Sequence, residues 1–110
     1  MNRNNPILYI VIPCYNEEKV LPHTNPMFIE KIESLINSGQ VHPNSKVMYV
    51  NDGSKDKTWE LIQQYAKENS HVVGIAQSRN RGHQSSVLAG MDEAAKFADI
   101  VITIDADGQD

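Results

Sequence analysis

The sequence holds a single cysteine, Cys14, among 110 residues. One thiol excludes an internal disulfide framework and suits a reducing compartment. No window approaches the ~20 consecutive apolar residues of a membrane span. The N-terminus, Met1-Asn2-Arg3-Asn4-Asn5, lacks the apolar segment of a signal peptide. These absences read as a soluble, cytoplasmic chain. Basic residues are few: Lys and Arg number 10 against 14 Asp and Glu, a net charge of −4. That balance excludes the basic stripe of a nucleic-acid groove. Local basic pairs, Lys55 with Lys57 and Arg79 with Arg81, could still meet one pyrophosphate. No glycine-rich loop follows the first apolar run, where Pro13-Cys14-Tyr15-Asn16 stands instead. This argues against a nicotinamide or ATP site.

What is present is alternation. Four short apolar runs, 7–12, 46–50, 71–76 and 100–104, have the length and β-branched content of buried strands. Pro13 is expected to end the first, and Asn51-Asp52-Gly53-Ser54 the second. Amphipathic stretches lie between them. The first carries Phe28, Ile29, Ile32, Leu35 and Ile36 at helical spacing, with Asn25 as expected N-cap, Pro26 at the first helical position and Gly39 as the stop. The second carries Thr58, Leu61, Ile62, Tyr65 and Ala66 on one face, with Asp56 as N-cap. The third runs from about Gln84 to Phe97, with Val87, Leu88, Met91, Ala94, Ala95 and Ala98 expected inward. The order β-α-β-α-β-α-β implies an α/β fold, a three-layer α/β/α sandwich on a mostly parallel sheet. Repeats, linkers and low-complexity stretches are absent. The chain reads as one domain over 1–110, cut from a longer protein within an acidic cluster.

In open parallel sheets ligands bind beyond the carboxyl ends of the strands. Four polar clusters stand there. Asp105-Ala106-Asp107 closes the fourth run, and Gln109 follows two residues on. Carboxylates at i and i+2 point the same way on extended chain and repel unless a cation intervenes. Mg²⁺ or Mn²⁺ takes such oxygen ligands together with phosphates. The plain alternative is an acidic turn capping a strand. Asp52 could accept from a base N–H or a ribose hydroxyl, or simply form an Asp-Gly turn. Tyr15 could stack on a base and Glu17 hold its ribose, or they could cap the core and open a helix. Arg79 or Arg81 could neutralise a diphosphate beside the helix start after Gly82, or form a solvated loop. Cys14 reads as a small buried filler rather than a nucleophile, and Trp59 as cover for a helix-sheet seam.

Together, Ile12-Pro13-Cys14-Tyr15-Asn16-Glu17-Glu18, Val50-Asn51-Asp52-Gly53-Ser54-Lys55-Asp56-Lys57-Thr58, Arg79-Asn80-Arg81-Gly82 and Asp105-Ala106-Asp107-Gly108-Gln109-Asp110 resemble the family 2 glycosyltransferases, which have the nucleotide-diphospho-sugar (GT-A) fold. The last cluster looks most like the dolichyl- or polyprenyl-phosphate sugar synthase branch, although Gly108 departs from the bulkier residue often found there. The resemblance implies transfer of a sugar from a UDP- or GDP-sugar donor to a polyprenyl-phosphate or glycan acceptor. The mechanism implied is inverting and metal-dependent, with Mg²⁺ or Mn²⁺ as cofactor. It implies that Pro13, Tyr15, Glu17 and Asp52 line the nucleotide pocket. Asp105 would sit near ribose and metal, Asp107 and Gln109 on the metal, and Arg79 or Arg81 near the donor. The catalytic base and any membrane anchor would lie beyond Asp110, with the whole protein at the cytoplasmic face of a membrane. Two rivals stand beside it: a non-catalytic sugar-nucleotide-binding domain, and a receiver-like signalling module. A receiver would place its acidic pair after the first strand, where this chain has Pro13-Cys14-Tyr15.

Overall fold

The computed structural model describes residues 5–77 and 82–107, with the backbone alone at His83. In chain order the elements are β1 (Leu8–Cys14), α1 (Leu21–Asn37), β2 (Lys46–Asp52), α2 (Thr58–Glu68), β3 (Val72–Gln77), α3 (His83–Ala94) and β4 (Ile100–Thr103). The strands form one sheet in the order β3-β2-β1-β4, and every pairing is parallel. The α/β class, the parallel sheet and the shared rim of strand ends are therefore as expected.

The continuous apolar run of β1 is explained by burial on both sides. Leu8, Ile10, Ile12 and Cys14 enter one core with Val47, Tyr49 and Val72, closed by Leu21, Phe28 and Ile32 of α1 and Ile62 of α2. Tyr9 and Val11 enter the opposite core with Met48, Val50 and Ala94 of α3. Successive strand side chains point to opposite faces, so α1 and α2 cover one face and α3 the other. Trp59 is half-buried against the first core, as expected of seam cover. Gly74 lies under α2, and a Cβ there would meet Ile62 at 2.4 Å.

Several boundaries differ from expectation. β1 runs through Pro13 to Cys14. β4 pairs with β1 only as far as Val11, so Pro13 sits where β1 has one strand neighbour, a position that tolerates proline. β2 continues through Asn51 and Asp52, paired with β1 and β3. α1 starts at Leu21 rather than at Pro26, which lies inside the helix. A turn closed by the Val20 and Leu21 N–H groups on the Glu17 carbonyl leads directly into α1. Asn25 is no cap. Its side chain is buried and accepts a hydrogen bond from the Tyr49 hydroxyl at 2.7 Å. Gly39 does stop α1, at φ 78°, with its N–H on the Ile36 carbonyl and that of Gln40 on the Leu35 carbonyl.

α3 ends at Ala94, short of Phe97, and only part of the expected inward face is buried: Ala94 lies in the second core and Ala98 packs against it. Leu88, Met91 and Ala95 are exposed. Ser86 and Gly90 join the expected Ala94, at i, i+4 and i+8, in facing the sheet. A Cβ on Gly90 would come within 2.5 Å of Val11 and 2.7 Å of Val50. Small residues thus let α3 lie flush on β1 and β2. Among the described residues no helix is long and apolar enough to cross a membrane.

Candidate functional site at the carboxyl edge of the sheet

The strand order reverses at β1: β2 and β3 lie to one side and β4 to the other. Such a switch point opens a crevice between diverging loops. A cavity of about 500 Å³ occupies it. Pro13, Cys14, Tyr15 and Glu17 line it from the end of β1, and Asp52 from the end of β2. Gly82 and Ser86 contribute from the start of α3, and Asp105, Ala106 and Asp107 from the segment after β4. Of the expected site residues, Pro13, Tyr15, Glu17, Asp52, Asp105 and Asp107 therefore meet in one place. Arg79, Arg81 and Gln109 lie outside the described residues.

Each placement has a local cause. Asp52 is the last residue of β2 and only 3% exposed. Asn51 beside it is also buried, and its Oδ1 accepts the Ser54 N–H at 3.3 Å, tying the turn down. Ala106 is buried in the core while Asp105 and Asp107 are exposed on either side of it. The buried Ala106, with the Ile104 N–H bonded to the Val11 carbonyl, anchors the acidic segment and leaves both carboxylates at the cavity. Gly82 has φ 91°, left-handed backbone that favours glycine, and forms the entry to α3. Ser86 is fully buried, its hydroxyl 3.3 Å from Gln77 Oε1 at the end of β3. Cys14 is 2% exposed, and its thiol donates to the Ile12 carbonyl at 3.5 Å. Burial, then the Glu17 charge, push that thiol far up from its ordinary range. It is the inert filler expected.

The electrostatics are those of crowded carboxylates. Glu17 is raised above the usual carboxylate range, first by burial and then by Asp107, Asp56 and Asp105. A cation would relieve this crowding, and hard oxygen donors suit Mg²⁺ or Mn²⁺. Among the described residues no three Asp, Glu, His or Cys side chains converge into a metal cage. A divalent ion here would take one or two protein carboxylates and complete its shell from phosphate and water oxygens, the habit of Mg²⁺. The donor set fits such an ion.

Two contributors escaped the sequence reading. Ser86 and Val20 line the cavity although neither belongs to a polar strand-end cluster. Ser86 had one signal, a polar residue on the same helical row as Gly90 and Ala94.

The fold and its switch-point pocket define an α/β domain of the GT-A kind. The structure resembles the mannosyltransferase PcManGT from Pyrobaculum calidifontis, solved with GDP-Man and Mn²⁺, at a TM-score of 0.70 and 20% identity, over 96% of this chain and 28% of that one. It also resembles S. aureus TarS 1-349 in complex with UDP, at a TM-score of 0.67 and 20% identity, over 92% and 27%. The glycosyl transferase family 2 profile matches residues 9–110, and the chain belongs to that family. It is 43% identical over its whole length to the uncharacterized glycosyltransferase YkoT of Bacillus subtilis (strain 168), covering 33% of that protein. Over 101 residues it is 37% identical to the undecaprenyl-phosphate 4-deoxy-4-formamido-L-arabinose transferase of Pectobacterium carotovorum, covering 91% of this chain and 28% of that protein. The chain thus spans about a third of the length of the curated relatives it matches.

Proposed function

We propose that this chain is the donor-binding part of an inverting, metal-dependent glycosyltransferase that takes a UDP- or GDP-sugar. One observation carries the reading. A buried Asp52, an exposed Tyr15, and Glu17, Asp105 and Asp107 line one switch-point cavity. Asp52 accepts from the base, at the floor where solvent does not compete. Tyr15 offers its ring face, Glu17 holds ribose hydroxyls, and Pro13 shapes the wall. The start of α3 at Gly82 faces the diphosphate, with Arg79 or Arg81 completing the charge balance. Asp105 and Asp107, with Gln109, would hold Mg²⁺ or Mn²⁺. A bound cation there would supply charge neutralisation of the departing diphosphate. In the transfer an acceptor oxygen bonds to the anomeric carbon from the far side. The bond from that carbon to the diphosphate oxygen breaks, and its electron pair leaves with the nucleoside diphosphate. Any acceptor proton goes to a base contributed from beyond Asp110.

The family relatives named for undecaprenyl phosphate favour a polyprenyl-phosphate acceptor, with a cell-envelope glycan as the second choice. On that reading the whole protein works at the cytoplasmic face of a membrane, which it reaches through residues outside this chain.

Calorimetric titration of the chain with UDP and with GDP tests the donor reading. Binding is expected with Mn²⁺ or Mg²⁺ and lost on chelation. Equal binding in both conditions would remove the metal role, and no binding of either nucleotide would overturn the donor site.

A further inference from the structure

The loop after β1 carries Tyr15 and Glu17 to the cavity, and its leading amides are bonded from outside the loop. Its amides at Asn16, Glu17 and Glu18 open the turn that leads into α1, and such leading N–H groups lack partners within their own helix. Val20, the residue before α1, supplies no side-chain cap. The partners come from the loop after β2 and the first residue of α2. The Asn16 N–H donates to Ser54 Oγ at 3.0 Å. The Glu17 N–H donates to Thr58 Oγ1 at 2.7 Å, and the Glu18 N–H to Asp56 Oδ2 at 3.3 Å. In return the Lys55 N–H donates to Asn16 Oδ1 at 2.8 Å. Asn16 adopts left-handed backbone, φ 54°, to make this exchange.

The Thr58 hydroxyl is the centre of the arrangement. α2 does not require it, because Asp56 Oδ1 already accepts the Thr58 N–H at 2.9 Å. The hydroxyl instead accepts from Glu17 and donates to Asp56 Oδ1. Thr58 is fully buried, so water does not substitute. A run from the Glu17 amide through a hydroxyl to a carboxylate polarises each bond in turn.

We propose that Thr58, backed by Asp56, is a positioning residue: it caps the α1 lead-in turn from the start of α2. By doing so it sets nucleotide affinity without touching the nucleotide. The affinity claim rests on the donor reading above; the clamp itself does not.

The test uses the 110-residue chain unaltered and as Thr58→Val, Thr58→Ser and Asn16→Gly. Valine keeps the shape and removes the hydroxyl. Serine restores the hydroxyl. Glycine at position 16 accepts positive φ and deletes the Oδ1 bridge at an exposed site, so it keeps the test open should Thr58→Val not fold. Nucleotide affinity with Mn²⁺ is measured well below the melting transition, together with exchange of the Glu17 amide by NMR. Thr58→Val is expected to weaken UDP or GDP binding about tenfold and to release the Glu17 amide, with Thr58→Ser close to the unaltered chain in both. Asn16→Gly is expected to weaken binding severalfold. A Thr58→Val chain that melts earlier but binds within about twofold of the unaltered chain marks an ordinary structural role and overturns the affinity claim. If the unaltered chain binds neither nucleotide, the donor reading falls and the clamp is judged on exchange: faster Glu17 exchange in Thr58→Val, restored in Thr58→Ser, supports it, and equal exchange in all three overturns it.

Discussion

The two walls of the cavity are built in opposite ways. On one side the ends of β1 and β2 are buried, and their loops are joined by hydrogen bonds between residues 38 to 41 positions apart. On the other side β4 is a short edge strand with Ile100 and Ile102 over 40% exposed, and the acids that follow it are exposed too. On the proposed reading the difference matches the task of each wall. Recognising a planar base needs fixed donors and acceptors, so that wall is pinned before the ligand arrives. Meeting a diphosphate through a cation is a matter of charge, and exposed carboxylates on either side of the buried Ala106 suffice.

The sharpest way to break this contrast is to remove a charge from the open wall. Asp107→Ala is expected to lower metal-dependent nucleotide binding by about 100-fold or more, since even residues that merely support metal ligands cost 10–100-fold in metal affinity. Thermal stability should hardly move, because Asp107 is exposed. Titration calorimetry beside a melting curve reads both. A large fall in melting temperature with unchanged binding would reverse the roles given to the two walls.

A packing change between the walls comes next. Gly90→Ala places a methyl group against Val11 and Val50, at distances that side chains do not reach without displacement. Overpacking of this kind costs about 2 kcal/mol, and the melting temperature should fall by several degrees. α3 also carries Gly82 and Ser86 to the cavity, so nucleotide affinity should fall alongside. A variant as stable as the parent would mean that α3 stands off the sheet.

Tyr49→Phe strikes the sealed layer away from the cavity. It leaves the buried Asn25 Oδ1 without its hydroxyl donor, at a cost of about 1–2 kcal/mol. Nucleotide affinity in the folded chain should stay as it was. A parallel loss of affinity would show that the first core and the pinned wall are one unit.

The same contrast explains what could be read in advance. β1 and β2 are legible because burial on both faces leaves unbroken apolar runs such as Ile7 to Ile12, whereas β4 is legible from its β-branched run although most of it is exposed. The ends of β1 and β2 are less so. Pro13, Asn51 and Asp52 are poor strand formers, yet neighbouring strands hold them in the ladder, and pairing overrides local preference. Pro26 has the look of a first helical residue, but Pro22 and the turn from Glu17 open α1 five residues earlier. In α3 apolarity points to Ala94, which is buried, but not to Ser86 and Gly90 on the same row, where small size matters more than apolarity. The gathering of Asp52, Glu17, Asp105 and Asp107 followed from strand-end position alone. The bonds that pin the loops did not, because neither loop shows by itself that its partner is the other; the spacing of Ser54, Asp56 and Thr58 ahead of a helix was the available sign.

The smallest effect expected is also the one that isolates the pinned wall, and it is a pH dependence. Burial alone would raise the Asp56 carboxyl, but hydrogen bonds from the Thr58 hydroxyl, the Thr58 N–H and the Glu18 N–H together hold it below the ordinary aspartate value of 3.8. A depressed folded-state value means that the unfolded chain takes up the proton first. Asp56 therefore contributes stability above its unfolded value, and the contribution drains away as pH falls through the folded one. Glu17 runs the other way: raised by burial and then by its acidic neighbours, it favours the fold at low pH and loses that contribution as pH rises past its folded value. The carboxylic proton of Asp56 would also occupy an oxygen that now accepts from Thr58, loosening the loop that carries Glu17. Asp56→Asn should lower the melting temperature at neutral pH and flatten its decline on acidification, followed by calorimetry from about pH 7 to pH 3. Identical acid limbs in parent and variant would show that the carboxylate does not sustain the wall, and the clamp would then rest on the Thr58 hydroxyl alone.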